Sequence, residues 1–256
     1  MDTASIKDAW ESKYSSSGVR VGSKRQLRAL AAIVPVIPEN GDVLELGCGA
    51  NNLSEFFPSE RYIGLDLSKK ALECIAPGVR KINASAEDIP LRDGSISLAF
   101  EFAFLEHVQN PERVLFEIDR VLDNGGVVCH ATAWFCRPYP ALVYLQKPWA
   151  ECAAVGKLKK AFYTARYSKI IRALYVIPRR VVMELSAILG REQPLRYQRL
   201  QPNFESSLTD ASATVCVDPV AAMIYYRSRG YRIKNGGESF LKRLFWGHKL
   251  IIAQKP

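Results

Sequence analysis

The stretch VLELGCGANN, residues 43–52, decides the fold of this chain. A short apolar strand pattern runs directly into Gly47 and Gly49. A glycine pair after a buried strand lets the chain turn tightly into a helix, and it lets a ligand approach the backbone where a Cβ would obstruct it. The stretch therefore predicts a phosphate-free, nucleoside-binding turn in an α/β domain.

The residues around the glycine pair argue against a dinucleotide. A dinucleotide site has a third small residue after the pair and holds a pyrophosphate at the helix N-terminus. Asn52 stands at that third place, and Glu45 puts a carboxylate at the end of the strand. Because a carboxylate repels a pyrophosphate but can hold an ammonium group, the turn favours a cationic ligand.

Outward from this turn, short apolar runs alternate with helical patterns, which is typical of successive β-α units and a parallel sheet. The predicted strands are Val43–Leu46, Tyr62–Leu65, Arg80–Asn83, Ile96–Phe100, Val127–Thr132, Tyr231–Ile233 and His248–Ala253. The predicted helices are Leu53–Phe57, Lys69–Ile75, Glu112–Leu122 and one from Pro219 to Gly230. This order predicts an α/β, Rossmann-like, doubly wound fold with a seven-stranded, mostly parallel sheet.

Three further segments follow predicted strands. Asp66 comes seventeen residues after Gly49, where a carboxylate at the second strand tip can accept both hydroxyls of a ribose. The run Ala84–Pro90 follows the third strand and can offer a backbone amide and an Asp to an adenine edge. The run Glu101–Val108 follows the fourth strand and leads into the helix start at Asn110 and Pro111.

Together these segments resemble the class I S-adenosylmethionine-dependent methyltransferases, in particular the group with E-x-G-C-G, D-x-S, A-E-x-x-P and L-E-H-V motifs. The resemblance is close over residues 40–133 and looser in the C-terminal helix and strands. It implies S-adenosylmethionine as the cofactor. The cofactor-binding residues that it implies are Glu45, Gly47 and Gly49 at the methionine part, Asp66 at the ribose, Ala86, Glu87 and Asp88 at the adenine, Glu101 and Phe102 beside the sulfonium, and the neighbours Cys48 and Leu67.

The chain departs from the family pattern at two places. Ile96-Ser97 replaces the usual Phe-Asp at the start of the fourth strand, which puts one local hydrogen bond in doubt. Glu101 stands where a small or polar residue is more usual. Its charge could stabilise a cationic cofactor or point to solvent.

His107 is the candidate catalytic residue, because an imidazole near the reacting centre could take a proton from a hydroxyl. A histidine that leads into a helix also commonly makes a structural hydrogen bond, and both interpretations stay open. His130 and His248 are interpreted as structural. No metal site is expected, since the six cysteines form no C-x-x-C pair and mostly lie in apolar runs.

The positive charge of the chain is concentrated in one segment. The net charge is +9, and residues 137–199 contain 13 Lys and Arg against three Glu. We divide a single domain, residues 1–256, into an N-terminal helical segment 1–40, a cofactor-binding half 41–133, a basic helical insertion 134–215 and a C-terminal helix with two strands 216–256. Within the insertion we predict one helix over 151–176 and a second from Pro178 to Gly190.

The insertion is where the substrate must be sought. Its helices could form a lid, lie on an anionic membrane through residues 150–200, or pack their apolar faces on the sheet. Its aromatic residues suit a hydrophobic, aromatic or lipid- or sugar-linked small-molecule acceptor, with O-methylation as the expected reaction. Methylation of RNA or DNA, or binding without catalysis, are the alternatives. We expect a cytoplasmic protein without a membrane span, with peripheral membrane contact as an option.

Overall fold

The computed structural model describes residues 3–15, 24–50, 53–235 and 250–256, and it is built around one large sheet. The strands are β1 Asp42–Leu46, β2 Tyr62–Asp66, β3 Arg80–Asn83, β4 Ile96–Phe102, β5 Leu122–Ala131, β6 Tyr197–Arg199, β7 Val215–Val217, β8 Arg232–Ile233 and β9 Ile251–Gln254. The helices are α1 Thr3–Ser15, α2 Lys24–Ile33, α3 Lys69–Glu73, α4 Pro111–Val121, α5 Tyr139–Gln146, α6 Ala154–Arg166, α7 Lys169–Ile188 and α8 Pro219–Arg227.

Seven of these strands form the main sheet in the order β3-β2-β1-β4-β5-β9-β8, and β6 pairs with β7 apart from it. Strands β1 to β5 are parallel, whereas β9 runs antiparallel to both β5 and β8. The predicted fold class is therefore confirmed. The order reverses at β1, which lies between β2 and β4, and ligands bind outside the carboxyl ends of strands at such a point.

Both faces of the sheet are covered. Leu44 on β1 packs into the core with α4 and α8, while its neighbour Val43 packs into the opposite core with α2. Successive strand residues point to opposite faces, so a strand buried on both sides becomes a nearly continuous apolar run. Every residue of β2 and β4 is buried for this reason.

The helix boundaries in this half follow local capping. Asn110 accepts a hydrogen bond from the Arg113 amide and Pro111 occupies the first turn of α4, as the sequence predicts. The prediction that this helix reaches Leu122 and that the strand begins at Val127 is wrong, because Leu122 already pairs with Ile96 of β4. The helix predicted over 53–57 is a 3-10 turn, Leu53–Phe56.

The insertion differs most from its prediction. The single helix expected over 151–176 is divided into α6 and α7, because the Ser168 hydroxyl caps α7 by accepting from the Ile171 amide. Pro178 does not begin a helix but lies inside α7. The second half of α7 is held on α8 by ion pairs from Arg180 to Asp218 and from Arg227 to Glu184, which keep the helix continuous past the proline.

Helix α5 and the β6–β7 pair were not predicted. No helix within the described ranges is both long and apolar enough to cross a membrane. Asn52 and His248, which entered the sequence argument, lie outside the described residues, and the last strand begins at Ile251.

Candidate active site

The glycine turn adopts a conformation that favours glycine. Gly47 and Gly49 have φ angles of +60° and +57°, which lie in the left-handed region. A Cβ on Gly47 would lie 2.0 Å from Cδ2 of Phe104, so the Phe104 ring rests directly on this backbone. Cys48 between them points into a small core with Leu72 and is fully buried. The predicted turn therefore exposes backbone, and not side chains, at the end of β1.

Asp66 fastens this turn to the tip of β2. Its two carboxylate oxygens accept hydrogen bonds of 2.8 Å from the backbone amides of Gly49 and Ser68. Burial raises the pKa of the Asp66 carboxyl, and the two amides oppose that shift. A carboxylate oxygen has two lone pairs, so each oxygen can still accept a hydroxyl.

A pocket opens beside Asp66, at the carboxyl edge of the sheet. Of the predicted residues, it is lined by Gly47, Asp66, Leu67, Ala86, Glu87 and His107. Sequence reasoning missed Ile6 and Trp10 of α1 in its wall, because no motif marks them. Glu11 anchors α1 there by accepting hydrogen bonds from the backbone amides of Lys69 and Lys70.

Glu87 supports the pocket from a second side. Its Oε1 accepts hydrogen bonds from the backbone amides of Gln109 and Asn110, at 3.2 and 3.0 Å. The segment after β4 is thereby fixed to the loop after β3. Asp88 is exposed and does not line the pocket in this structure.

Glu45 lies beneath the pocket and not in its wall. Its side chain is 1% exposed, and its Oε2 accepts a 2.5 Å hydrogen bond from the Tyr62 hydroxyl. Burial raises the pKa of Glu45 to about 8, with the nearby Asp66 adding to the shift and Tyr62 opposing it. A cation placed nearby would favour the ionised form.

Glu101 and Phe102 are also buried behind the wall. Glu101 accepts a hydrogen bond from the Phe104 amide and faces Nδ1 of His130 at 3.3 Å. Nε2 of His130 lies 2.8 Å from the Tyr226 hydroxyl. The option that Glu101 points to solvent is wrong. At the other departure from the family pattern, the Ser97 hydroxyl donates to the backbone carbonyls of Asn40 and Asp42, which supplies a local hydrogen bond.

His107 faces the pocket and also makes a structural hydrogen bond. Its Nδ1 lies 3.1 Å from the carbonyl oxygen of Ser212, and its Nε2 lies 3.9 Å from Glu106 Oε1. Because a carbonyl only accepts, Nδ1 carries the proton and the neutral ring keeps its lone pair on Nε2. Glu106, which sequence reasoning missed, is buried and accepts from the Thr132 hydroxyl and the Ala133 amide.

Comparison with known proteins shows which protein family this region of the chain resembles. Residues 44–130 match the family described as a methyltransferase domain. The chain contains a class I S-adenosylmethionine-dependent methyltransferase domain. The cofactor prediction, S-adenosylmethionine, is confirmed at the level of this family.

Individual relatives match less than half of this chain. An uncharacterised protein of Methanocaldococcus jannaschii is 30% identical over 106 residues, 41% of this chain and 49% of that protein. A protein of Mycolicibacterium smegmatis, named as a probable S-adenosylmethionine-dependent methyltransferase, is 30% identical over 36% of this chain and 37% of its own. The chain thus spans half or less of the length of these relatives.

Among solved structures, a SAM-dependent methyltransferase from Thermotoga maritima is 31% identical, covers 41% of this chain and 49% of its own, and has a TM-score of 0.35. The fold assignment therefore rests on the strand order and register of the chain itself. The insertion begins beyond the matched residues 44–130.

A second, larger cavity of about 520 Å³, which we call the insertion cavity, lies within this unmatched part of the chain. All of its lining residues fall between Trp134 and Ala221. Five of them are aromatic: Trp134, Phe135, Tyr167, Tyr175 and Tyr197.

Two contacts join the linings of the two cavities, and we call the residues that make them, Glu106, His107, Ala133 and Ser212, the wall. The Ser212 carbonyl binds His107 of the cofactor-side pocket, while Asp210 two residues earlier lines the larger cavity. Glu106 binds the Ala133 amide, and Trp134 next to it lines the larger cavity. The wall therefore connects residues of the cofactor-side pocket to neighbours of residues that line the larger cavity.

Backbone strain is concentrated at the same places. Among the described residues, the non-glycine residues with positive φ are Ala103 at 51°, Phe135 at 64° and Asp210 at 62°. Ala103 lines the first pocket, and the other two line the larger cavity. Such conformations cost about 1–3 kcal/mol each and are concentrated at functional sites.

Proposed function

We propose that this chain is a methyltransferase that moves a methyl group from S-adenosylmethionine to a small-molecule acceptor bound in the insertion cavity. The observation that carries the proposal is the presence of two cavities whose linings are joined through the contacts of His107 with Ser212 and of Glu106 with Ala133. One cavity adjoins the glycine turn and Asp66, where the family binds its cofactor. The other provides room for an acceptor.

The residues of the first pocket fit S-adenosylmethionine. We assign the ribose hydroxyls to the Asp66 carboxylate, the adenine to Ala86 and Glu87, and the methionine part to the backbone at Gly47. The Phe104 ring rests on Gly47, so it must rotate away when the methionine part approaches. The cofactor supplies an activated methyl group on a sulfonium, and the protein supplies alignment and exclusion of water.

We infer that the acceptor is hydrophobic or aromatic and is methylated on oxygen. The five aromatic side chains of the insertion cavity suit a ring or an apolar body. At the wall, the lone pair on His107 Nε2 would take the hydroxyl proton, and the resulting imidazolium would lie 3.9 Å from the Glu106 carboxyl, whose pKa is raised by burial and lowered by a charge on His107.

The cofactor half of the proposal is tested by calorimetry of the purified protein with S-adenosylmethionine and with NAD. We expect binding of the first and none of the second. Absence of S-adenosylmethionine binding would overturn the proposed function. The competing functions, RNA methylation and binding without catalysis, predict methyl transfer to RNA in the first case and cofactor binding without any methylated product in the second.

The catalytic half is tested with His107→Gln once an acceptor is known. We expect kcat to fall by about 100-fold with little change in KM, and the acidic limb of the kcat profile to disappear, because a positioned base contributes about 10²–10⁴-fold. Cofactor affinity should stay at the wild-type value. A variant with wild-type kcat would leave His107 with only its structural hydrogen bond to Ser212.

We also propose that the insertion touches an anionic membrane surface. Several large apolar side chains of α6 and α7 are 62–75% exposed, namely Val155, Leu158, Phe162, Ile170 and Leu174. They do not pack on the sheet, so the packing interpretation is wrong for these residues. No Asp or Glu occurs between Glu151 and Glu184, whereas eight Lys and Arg do. Cations around an apolar face suit anionic lipid headgroups.

A further inference from the structure

The insertion cavity contains an unusual excess of guanidinium groups. Four arginines line it, and they come from three separate parts of the chain: Arg137, Arg172, Arg179 and Arg196. Two aspartates also line it, Asp210 and Asp218. Asp218 already accepts two hydrogen bonds from Arg180, at 2.8 and 2.6 Å. The cavity therefore has a net positive charge.

The four arginines have no carboxylate partner among the residues that the structure describes. Within the described part of the chain, no ion pair joins any of them to an Asp or Glu. Arg172 instead stacks on the Phe135 ring, with its Cζ 4.2 Å from the ring centroid, and Arg137 lies 5.9 Å from the Tyr167 centroid. Like charges held around one space repel each other, and an anion between them removes that repulsion.

The aromatic side chains that line the insertion cavity favour an apolar group attached to the anion. Phe135, whose backbone is strained at φ 64°, is held by a hydrogen bond from its amide to the Val217 carbonyl. Its ring lies close to both Arg172 and Arg180, whose Cζ atoms are 4.2 and 5.9 Å from the ring centroid. Aromatic groups beside guanidinium groups suit a ligand with an apolar body and a charged oxyanion.

We propose that this cavity is an oxyanion-binding subsite, which takes a phosphate or carboxylate group attached to an apolar or aromatic body. The inference rests on the proposed function, because it assigns this anion to the methyl acceptor. Arginine is suited to the task since its planar fork of donors matches a phosphate or carboxylate through two parallel hydrogen bonds. The acceptor is thereby anchored at one end while its reacting hydroxyl reaches the wall near His107.

The test is binding of soluble probes by calorimetry at low and high salt. The probes are phenyl phosphate, inorganic phosphate, octyl phosphate and phenol, and S-adenosylmethionine is titrated separately. We expect phenyl phosphate to bind and phenol to bind at least about tenfold more weakly, because one charged pair of hydrogen bonds is worth that much. Added salt should weaken the binding of the phosphate probes.

Two variants and a matched control localise the site. Arg172→Gln and Arg179→Gln should each weaken phenyl phosphate binding at least about tenfold. Arg191→Gln removes the same charge from the insertion at an exposed position outside the cavity and should change nothing. Arg179 is exposed, so its variant tests the proposal even if Arg172→Gln is poorly folded. All three variants should bind S-adenosylmethionine as the wild type does.

Each outcome decides the proposal. Equal affinity for phenol and phenyl phosphate, or equal phenyl phosphate affinity in Arg179→Gln and Arg191→Gln, would overturn it even if S-adenosylmethionine binds. Loss of S-adenosylmethionine binding in the wild type with retained phenyl phosphate binding would overturn the proposed function alone. Stronger binding of octyl phosphate than of phenyl phosphate would support the proposal and assign the apolar body to a lipid chain, whereas inorganic phosphate that binds as strongly as phenyl phosphate would overturn the part of the proposal that requires an apolar or aromatic body.

Discussion

The sheet and the insertion of this molecule differ in the burial of their apolar side chains and in the pairing of their charged side chains. In the sheet, Val43 and Leu44 are fully buried. In the insertion, Leu158 and Ile170 are 73% and 75% exposed, and cations stand between such residues without acidic partners nearby in sequence. The sheet is explained by its own packing. The exposed apolar and charged groups of the insertion are the ones that the proposed lipid surface and anionic ligand would contact.

The largest effect is expected at the glycine turn. Gly47→Ala should cost about 3 kcal/mol of stability and about 100-fold in S-adenosylmethionine affinity, because its Cβ would meet the Phe104 ring at 2.0 Å in a left-handed backbone. Gly78→Ala is the matched control, since Gly78 also has a positive φ of +84° but open space around it. Calorimetry and urea unfolding measure both changes. Equal effects at the two glycines would show that the contact with Phe104 is unimportant.

The next largest effect is expected at Asp66, and it distinguishes this carboxylate from that of Asp88. Asp66→Asn should lower S-adenosylmethionine affinity by about 30-fold, because an amide group cannot accept from both the Gly49 and Ser68 amides. Asp88→Asn should change the affinity far less, since Asp88 lies outside the pocket. Isothermal titration gives both values. A large loss in Asp88→Asn would instead support its predicted contact with the adenine and imply movement of its loop on binding.

The exposed face of the insertion gives a smaller effect. Leu158→Glu and Ile170→Glu should each lower partitioning onto anionic vesicles by about tenfold, because each removes apolar contact and adds a repelled charge. Thermal unfolding should stay unchanged, since both side chains are exposed. Val34→Glu, at a side chain that is 57% exposed outside the insertion, is the control. Absence of wild-type binding at low salt would remove the membrane proposal.

The smallest effect concerns pH and the sheet half. The pKa of Glu45 is about 8 in the folded protein and 4.5 for an unperturbed Glu, which represents the unfolded chain. Because the folded state therefore binds the proton more tightly, the stability falls as the pH rises between these two values. Glu45→Gln should flatten this fall and gain about 1 kcal/mol at pH 6 relative to pH 5, because one pH unit within this window is worth about 1.4 kcal/mol. Urea unfolding at both pH values measures the slope. The same slope in wild type and variant would mean that another group controls it.

The sequence was sufficient for the sheet because its signals are local. Gly47, Asp66 and the Asn110-Pro111 helix start each follow from backbone requirements that a few neighbouring residues reveal. For this reason the fold and the cofactor could be predicted from the sequence, and both predictions are confirmed. The roles assigned to individual binding residues stay predictions.

The remaining features depend on contacts between residues far apart in the chain. The place of Trp10 beside His107, with ring centroids 5.0 Å apart, depends on α1 docking across the sheet edge. Helix α7 runs through Pro178 because Asp218 and Arg227 of a later segment hold it. The insertion cavity brings together arginines that are up to 59 positions apart, from Arg137 to Arg196, and no sequence motif connects them.

The strained backbone at Phe135 has a consequence for engineering. Replacement by glycine would release the φ strain and stabilise the fold by about 1 kcal/mol if no contact were lost. The same change would delete the ring on which Arg172 stacks. If a selection for heat resistance accepts Phe135→Gly while a selection for turnover rejects it, the strained conformation is retained for the ring's contacts in the cavity and not for stability.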